Sequence, residues 1–286
     1  MILQAELLLH VADTKLAEGP VWDYRTQRLH WVDIARGRFH TYDPQKHENT
    51  FVSFEQMIGA AVPCEKGGFM LALQDGFYKW KAGGTIPELV ADTESTDPKN
   101  RFNDGKCDPS GRFWAGSMRI HEPRLPVAAL YVMDKDLGVE KKVDEVRLSN
   151  GMAWTRNHSC MYYIDTPLQR LDAFDFELVS GKISNRRTVL TFEKDEFPDG
   201  MCIDEEDHVW IAFYGKGQVV RFDVERKTRL MEVEVPAVRT TSCCFGGKNL
   251  DTLFITTAAG DGLPLEGALF QVKPGVKGRK AHYFTG

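Results

Sequence analysis

The sequence has no run of about 20 apolar residues, so nothing in its 286 residues predicts a membrane-spanning helix. It has no excess of positive charge either: 36 basic residues face 41 acidic ones, a net charge of −5. Binding to nucleic acid or to an anionic membrane needs a basic face to neutralise phosphates, so neither is expected as a partner. The six cysteines contain no Cys-x-x-Cys pair, and Cys243 and Cys244 are adjacent. That usage predicts free, mostly buried thiols in a reducing cytoplasm. The N-terminus lacks a basic lead and carries Glu6 inside its apolar run, which reads as mature structure and not as a signal peptide. There is no glycine-rich phosphate loop and no serine-centred nucleophile elbow. Long stretches of helical periodicity are also scarce.

Short alternating runs are plentiful instead: Arg28 to Ile34, Gly68 to Leu73, Cys160 to Asp165, His208 to Phe213 and Thr252 to Thr257. Each is rich in β-branched or aromatic residues and is flanked by turn formers, so each reads as a strand. Small residues before an apolar step recur at Gly19, Gly59, Gly105, Gly151, Gly200 and Ser242, at intervals of 40 to 49 residues. A repeat of that length with about four short strands is a propeller blade. Six repeats predict an all-β, six-bladed β-propeller, over an irregular sandwich or barrel as the competing architecture. A ring of blades must be clasped. The strand from Ala5 to Val11 is expected to join the last blade beside Gly267 to Val272, hiding an open edge. No linker-like tract divides the chain, so residues 1–286 are read as one domain. The six tryptophans are expected between blades.

Residues at equivalent positions of a propeller converge on its central channel. Beside the repeat anchors stand Glu18, Asn103, Asp104, Asn150 and Asp199, all oxygen donors. Asn-Gly and Asp-Gly are common turn dipeptides, but a turn has no reason to keep the phase of a repeat. Converging carboxylates repel and are costly to desolvate. A divalent cation relieves both, and oxygen donors suit Ca²⁺, Mg²⁺, Mn²⁺ or Zn²⁺.

Taken together, Glu18-Gly19-Pro20-Val21-Trp22, Arg101-Phe102-Asn103-Asp104-Gly105-Lys106, Trp114-Ala115-Gly116-Ser117-Met118, Leu148-Ser149-Asn150-Gly151-Met152 and Pro198-Asp199-Gly200-Met201 resemble the SMP-30/gluconolactonase/regucalcin family over nearly the whole chain. The resemblance implies one divalent metal in the channel of a six-bladed propeller. It implies Glu18, Asn150 and Asp199 as metal ligands and Arg101 and Asn103 as substrate-binding residues. It also implies hydrolysis of a sugar lactone. A loop contact to substrate falls near His121 or Glu122, where the family commonly has an acidic residue.

The chemistry of those side chains fits such a reaction. A cation can stabilise negative charge developing on a lactone carbonyl oxygen. Asp199 is also the candidate general base, the alternative being that it only coordinates. Arg101 offers planar donors for hydroxyl groups, and Asn103 can donate and accept. Asp104 either orients a water or holds its turn. Pro123 and Pro126 stiffen the loop after Met118, which is expected to cover the channel mouth. Its Arg119, His121 and Arg124 suggest tolerance of an anionic substituent. The leading expectation is a metal-dependent lactonase, monomeric or weakly homo-oligomeric. A phosphotriesterase-like hydrolase and a non-catalytic calcium-binding propeller are the competing readings.

Overall fold

The structure is a computed structural model and describes residues 1–84, 86–260 and 262–286. It is built from six sheets whose strands are antiparallel and run outward in sequence order, the two N-terminal strands excepted, making a six-bladed β-propeller. The innermost strands are Ala17–Asp23, Ile58–Pro63, Asn100–Cys107, Ser149–Trp154, Phe197–Ile203 and Thr240–Gly246. Two short 3₁₀ turns, Ile34–Arg36 and Thr166–Leu168, are the only helical segments among the described residues. The alternating runs all became strands, displaced by at most one residue at an end: Arg28–Asp33, Phe69–Leu73, Cys160–Asp165, Val209–Tyr214 and Thr252–Thr257.

The ring closes as the edge argument required, with one addition. Glu6–Leu9 completes the sixth blade, with Glu6 opposite Gln271 and Leu7 opposite Phe270. The three residues before it, Ile2–Gln4, go elsewhere. They pair in parallel with Thr228–Glu234 and give the fifth blade a fifth strand. Buried Ala5 lies between the two segments, its N–H bonded to the Glu234 carbonyl. The N-terminus therefore covers two blade edges.

The core consists of six apolar clusters, each wedged between two neighbouring blades. All six tryptophans lie in these wedges. Trp22 and Trp31 join the first and sixth blades, and Trp80 the first and second. Trp114 and Trp154 join the third and fourth, and Trp210 the fifth and sixth. A blade has two faces, and both must be covered, so the pleat alternates residues into two different wedges.

Beyond the last strand, residues 273–286 cross the end of the channel where the innermost strands finish. This tail reaches every blade. Gly278 N–H donates to the Leu250 carbonyl at 2.8 Å, and Glu205 N–H to the Lys277 carbonyl at 2.9 Å. Arg279 donates to the Trp154 carbonyl. Thr285 N–H donates to the Gly111 carbonyl at 3.1 Å and Phe284 N–H to the Pro63 carbonyl at 2.9 Å. The Tyr283 hydroxyl donates to Asp23 at 2.6 Å. Phe284 is fully buried in the wedge between the second and third blades. The tail thus laces the ring at this end and leaves the opposite end, the mouth, uncovered by it. Among the described residues no disulfide forms, and every cysteine is buried except half-buried Cys160.

Candidate functional site

The innermost strand of every blade is bulged near its start, at the mouth. The pairing register slips between Glu18 and Val21, Ile58 and Ala60, Phe102 and Gly105, Ser149 and Met152, Pro198 and Met201, and Thr240 and Ser242. A bulge inserts an unpaired residue, bends the strand and re-aims its side chains. The phase shared by the sequence repeats is this bulge. Asn103 and Asp104, Asn150 and Gly151, and Asp199 and Gly200 occupy matching places in it. Asp104, and not Gly105, therefore stands where other blades have glycine.

Those glycines are sites of close approach. A Cβ on Gly151 would meet the Asp199 carbonyl oxygen at 2.8 Å, and one on Gly200 would meet the Ser242 Oγ at 2.1 Å. Neighbouring innermost strands are packed backbone to backbone there, which draws Asn150 and Asp199 together.

The strand entries are fixed by a second device. In the first blade, the Asp33 carboxylate accepts the N–H groups of Lys15 and Leu16, both at 3.0 Å. In the fourth, Asp165 accepts those of Arg147 at 3.2 Å and Leu148 at 3.0 Å. These anchors sit just before Glu18 and Asn150 and set the angle at which each enters the channel. Thr166 then links the fourth blade to the fifth. Its hydroxyl receives a hydrogen bond from Asn150 Nδ2 at 3.0 Å and donates to the Pro198 carbonyl at 2.7 Å.

Glu18, Asn103, Asp104, Asn150, Asp199 and Arg101 are all buried. Burial pushes the Glu18 carboxyl well above its ordinary range, and the charges of Asp199 and Asp104 push it further. Asp199 is raised for the same two reasons, burial first and Asp104 second. Burial also raises Asp104, against the pull of Lys106. Burial lowers the Arg101 guanidinium to about 10, with Glu18 and Asp199 opposing the fall. Residues from the first, third and fifth blades thus feel one another's charge across the channel.

Arg101 Nη1 donates to the Phe102 carbonyl and to Asn103 Oδ1, both at 2.8 Å. Asn103 Nδ2 donates to the Ser149 carbonyl at 2.8 Å. Both ends of the Asn103 amide are therefore engaged within the protein, while the other guanidinium nitrogens of Arg101 make no hydrogen bond among the described residues. Asp104 holds its own turn by accepting the Gly105 N–H at 2.7 Å. Below it, Lys106 Nζ donates across the channel to the Met201 carbonyl at 2.7 Å.

The donor set suits a hard divalent cation. Asn150 Oδ1 is buried with no hydrogen-bond partner, and its side chain adjoins Asp199, whose charge together with that of Glu18 is opposed by Arg101 alone among the cluster's residues. An orphaned buried acceptor is costly unless something binds it. Among the described residues no group of three His, Cys, Asp or Glu side chains is arranged to hold a metal. A site here depends on the amide oxygen joining Glu18 and Asp199.

His121 and Glu122 lie in the exposed 120–127 connection, at the mouth end. Neither side chain makes a hydrogen bond or ion pair among the described residues, so the structure does not join them to the buried cluster. Arg119, expected to make this loop more basic, is paired with Asp97 at 2.9 Å. Sequence reasoning missed Glu94, a buried carboxylate accepting from Ser117 and from Tyr131 at 3.1 Å beneath the same loop. It stands outside the repeat phase, so no periodic signal marked it.

The fold is a six-bladed β-propeller with a buried cluster of acidic and amide side chains where its innermost strands begin. The sequence profile described as SMP-30/Gluconolactonase/LRE-like region matches residues 16–259, and the chain belongs to that family. It is 39% identical to regucalcin of Danio rerio over 284 residues, covering 95% of each chain. It is 38% identical over 250 residues to YvrE of Bacillus subtilis, whose name assigns it provisionally as a sugar lactone lactonase, covering 86% of this chain and 85% of that one. Among solved structures, a luciferin-regenerating enzyme superposes with a TM-score of 0.91 at 31% identity, covering 98% of this chain and 99% of that one.

Proposed function

We propose that this protein is a metal-dependent hydrolase that opens sugar lactones to the corresponding acids. The observation that carries the reading is the unpartnered Asn150 Oδ1 next to Asp199, whose charge in turn reaches Glu18. Glu18, Asn150 and Asp199 would hold the ion. When bound, it would supply Lewis-acid polarisation of the lactone carbonyl. The naming of YvrE as a sugar lactone lactonase supports the same substrate class.

The chain's own residues supply the rest. Arg101, oriented by Asn103, turns its free guanidinium nitrogens to ring or chain hydroxyls and fixes the lactone over the acidic cluster. Asp199 takes a proton from the attacking water. Its raised proton affinity in the metal-free state would fall beside a cation, leaving a carboxylate able to accept that proton and return it to the leaving oxygen. Burial of the cluster keeps its electrostatics unscreened. Lys106 stays below, balancing Asp104.

The test is a panel of five- and six-membered aldonolactones followed by pH indicator. The expected outcome is turnover that a chelator abolishes and a divalent ion restores. Absence of turnover on every lactone would contradict the proposal. Retention of calcium in that case would favour a binding propeller, and turnover of phosphotriesters alone would favour that other hydrolase class.

A further inference from the structure

We propose that Glu94 is a positioning residue for Arg101 and for the 120–127 loop, and so governs substrate binding without touching substrate or metal. The part about substrate rests on the lactonase reading above; the part about Arg101 and the loop does not.

Glu94 lies in the connection before Asn100–Cys107 and is only 6% exposed. Its carboxylate accepts from the Ser117 hydroxyl, from the Tyr131 hydroxyl at 3.1 Å and from Asn100 Nδ2 at 3.0 Å. Among the described residues no Lys, Arg or His forms an ion pair with it. A buried carboxylate held only by neutral donors is an expensive way to fill space. Its distinguishing property is that it accepts from three donors at once, which no neutral side chain of its size can do.

The three donors are the ones that fix the mouth. Asn100 directly precedes Arg101, and its Nδ2 is shared with the Val127 carbonyl at 3.2 Å. Val127 ends the exposed loop. At the loop's other end, Ile120 N–H donates to the Lys99 carbonyl at 2.9 Å, and Arg119 pairs with Asp97 at 2.9 Å. Ser117 and Tyr131 belong to the two strands, Phe113–Arg119 and Ala128–Met133, that carry the loop. One carboxylate therefore clasps the base of the loop and the residue next to Arg101. Glu18, Asn150 and Asp199 sit on other blades and do not depend on it.

The experiment compares wild type, Glu94→Ala and Glu94→Gln in the full chain. Phenylglyoxal labelling of Arg101 and hydrogen exchange at 119–127 are read by mass spectrometry, alongside lactone kinetics and calorimetric metal binding. Glu94→Ala should label Arg101 and exchange the loop at least about tenfold faster, with arginines outside the loop unchanged. It should raise KM about tenfold, with kcat and metal affinity within about threefold. Glu94→Gln, which keeps the shape and one acceptor oxygen, should fall between, and stands in if the alanine variant does not fold. Unchanged labelling and exchange would overturn the positioning role. Equal acceleration at arginines outside the loop would reduce Glu94 to general stability and overturn it too. An unchanged KM with a loosened loop would overturn the link to substrate. Failure of wild type to open any lactone would instead count against the proposed function, and the labelling and exchange would still decide the role of Glu94.

Discussion

Arg101 Nη1 donates to Asn103 Oδ1 at 2.8 Å, and the same asparagine is held from behind by the Ser149 carbonyl. Both residues lie on the third blade and Asn103 reaches the fourth, so Asn103 acts on Arg101 as a brace. Arg101→Ala and Asn103→Ala should each raise KM for the lactone by about tenfold, close to 1.4 kcal/mol. Because one residue works through the other, the double variant should cost little more than either single one. Steady-state kinetics on the four proteins checks this. Full additivity would show that the two residues act independently.

The acidic cluster predicts an unusual stability change. Glu18 and Asp199 are buried, the charge of Asp199 raises the proton affinity of Glu18, and that of Asp104 raises both. Without a cation, their ionisation near neutral pH opposes folding. Asp199→Asn should therefore stabilise the chelator-treated protein by about 1 kcal/mol while abolishing the stabilisation that a divalent ion gives wild type. Thermal unfolding with and without the ion measures both. A variant still stabilised by the ion as strongly as wild type would remove Asp199 from the ligand set.

Two buried histidines predict the acid side of the stability profile. Burial lowers His30 to about 4 and His40 to about 3. The ordinary value is about 6.5, so the unfolded chain takes up protons first as pH falls. The contribution of each neutral ring is fully present above pH 6.5 and is lost as pH falls toward its folded value, by up to about 1.4 kcal/mol per pH unit. The buried carboxylates of the mouth act in the opposite direction, so the comparison should be differential. The stability gap between wild type and His30→Gln should shift steadily in favour of the variant from pH 6.5 to 4.5. A gap independent of pH would contradict it.

The tail should matter more than its lack of regular structure suggests. Phe284 fills the wedge between the second and third blades, and its backbone pairs with Pro63. Phe284→Ala should cost about 3–5 kcal/mol by leaving a cavity. Denaturant titration would show it as a lower midpoint. A loss under about 1 kcal/mol would mean that the tail is not part of the cooperative unit.

Much of the architecture was legible because blade repeats impose a phase on small residues and aromatics. The phase singled out Glu18, Asn150 and Asp199 as candidates from single positions in otherwise dissimilar segments; the register puts Asn150 and Asp199 inside the bulge and Glu18 at its edge. It misplaced the third blade by one residue, taking Gly105 as the anchor where the register puts Asp104. A bulge adds a residue without changing composition, so its position is invisible until the pairing is known. The N-terminal clasp was foreseen from its unpaired edge, but the turn at Ala5 that sends Ile2–Gln4 to another blade leaves no pattern. Glu94 and the tail were missed because their contacts join residues far apart in sequence and outside the repeat.

The most direct test of the central claim is calorimetric titration of a divalent cation into chelator-treated wild type, Glu18→Gln, Asn150→Ala and Asp199→Asn, with circular dichroism confirming each fold. One ion should bind per wild-type chain, and each substitution should weaken it at least about tenfold, close to 1.4 kcal/mol. Undiminished binding in folded variants of all three would place the ion elsewhere and contradict the account.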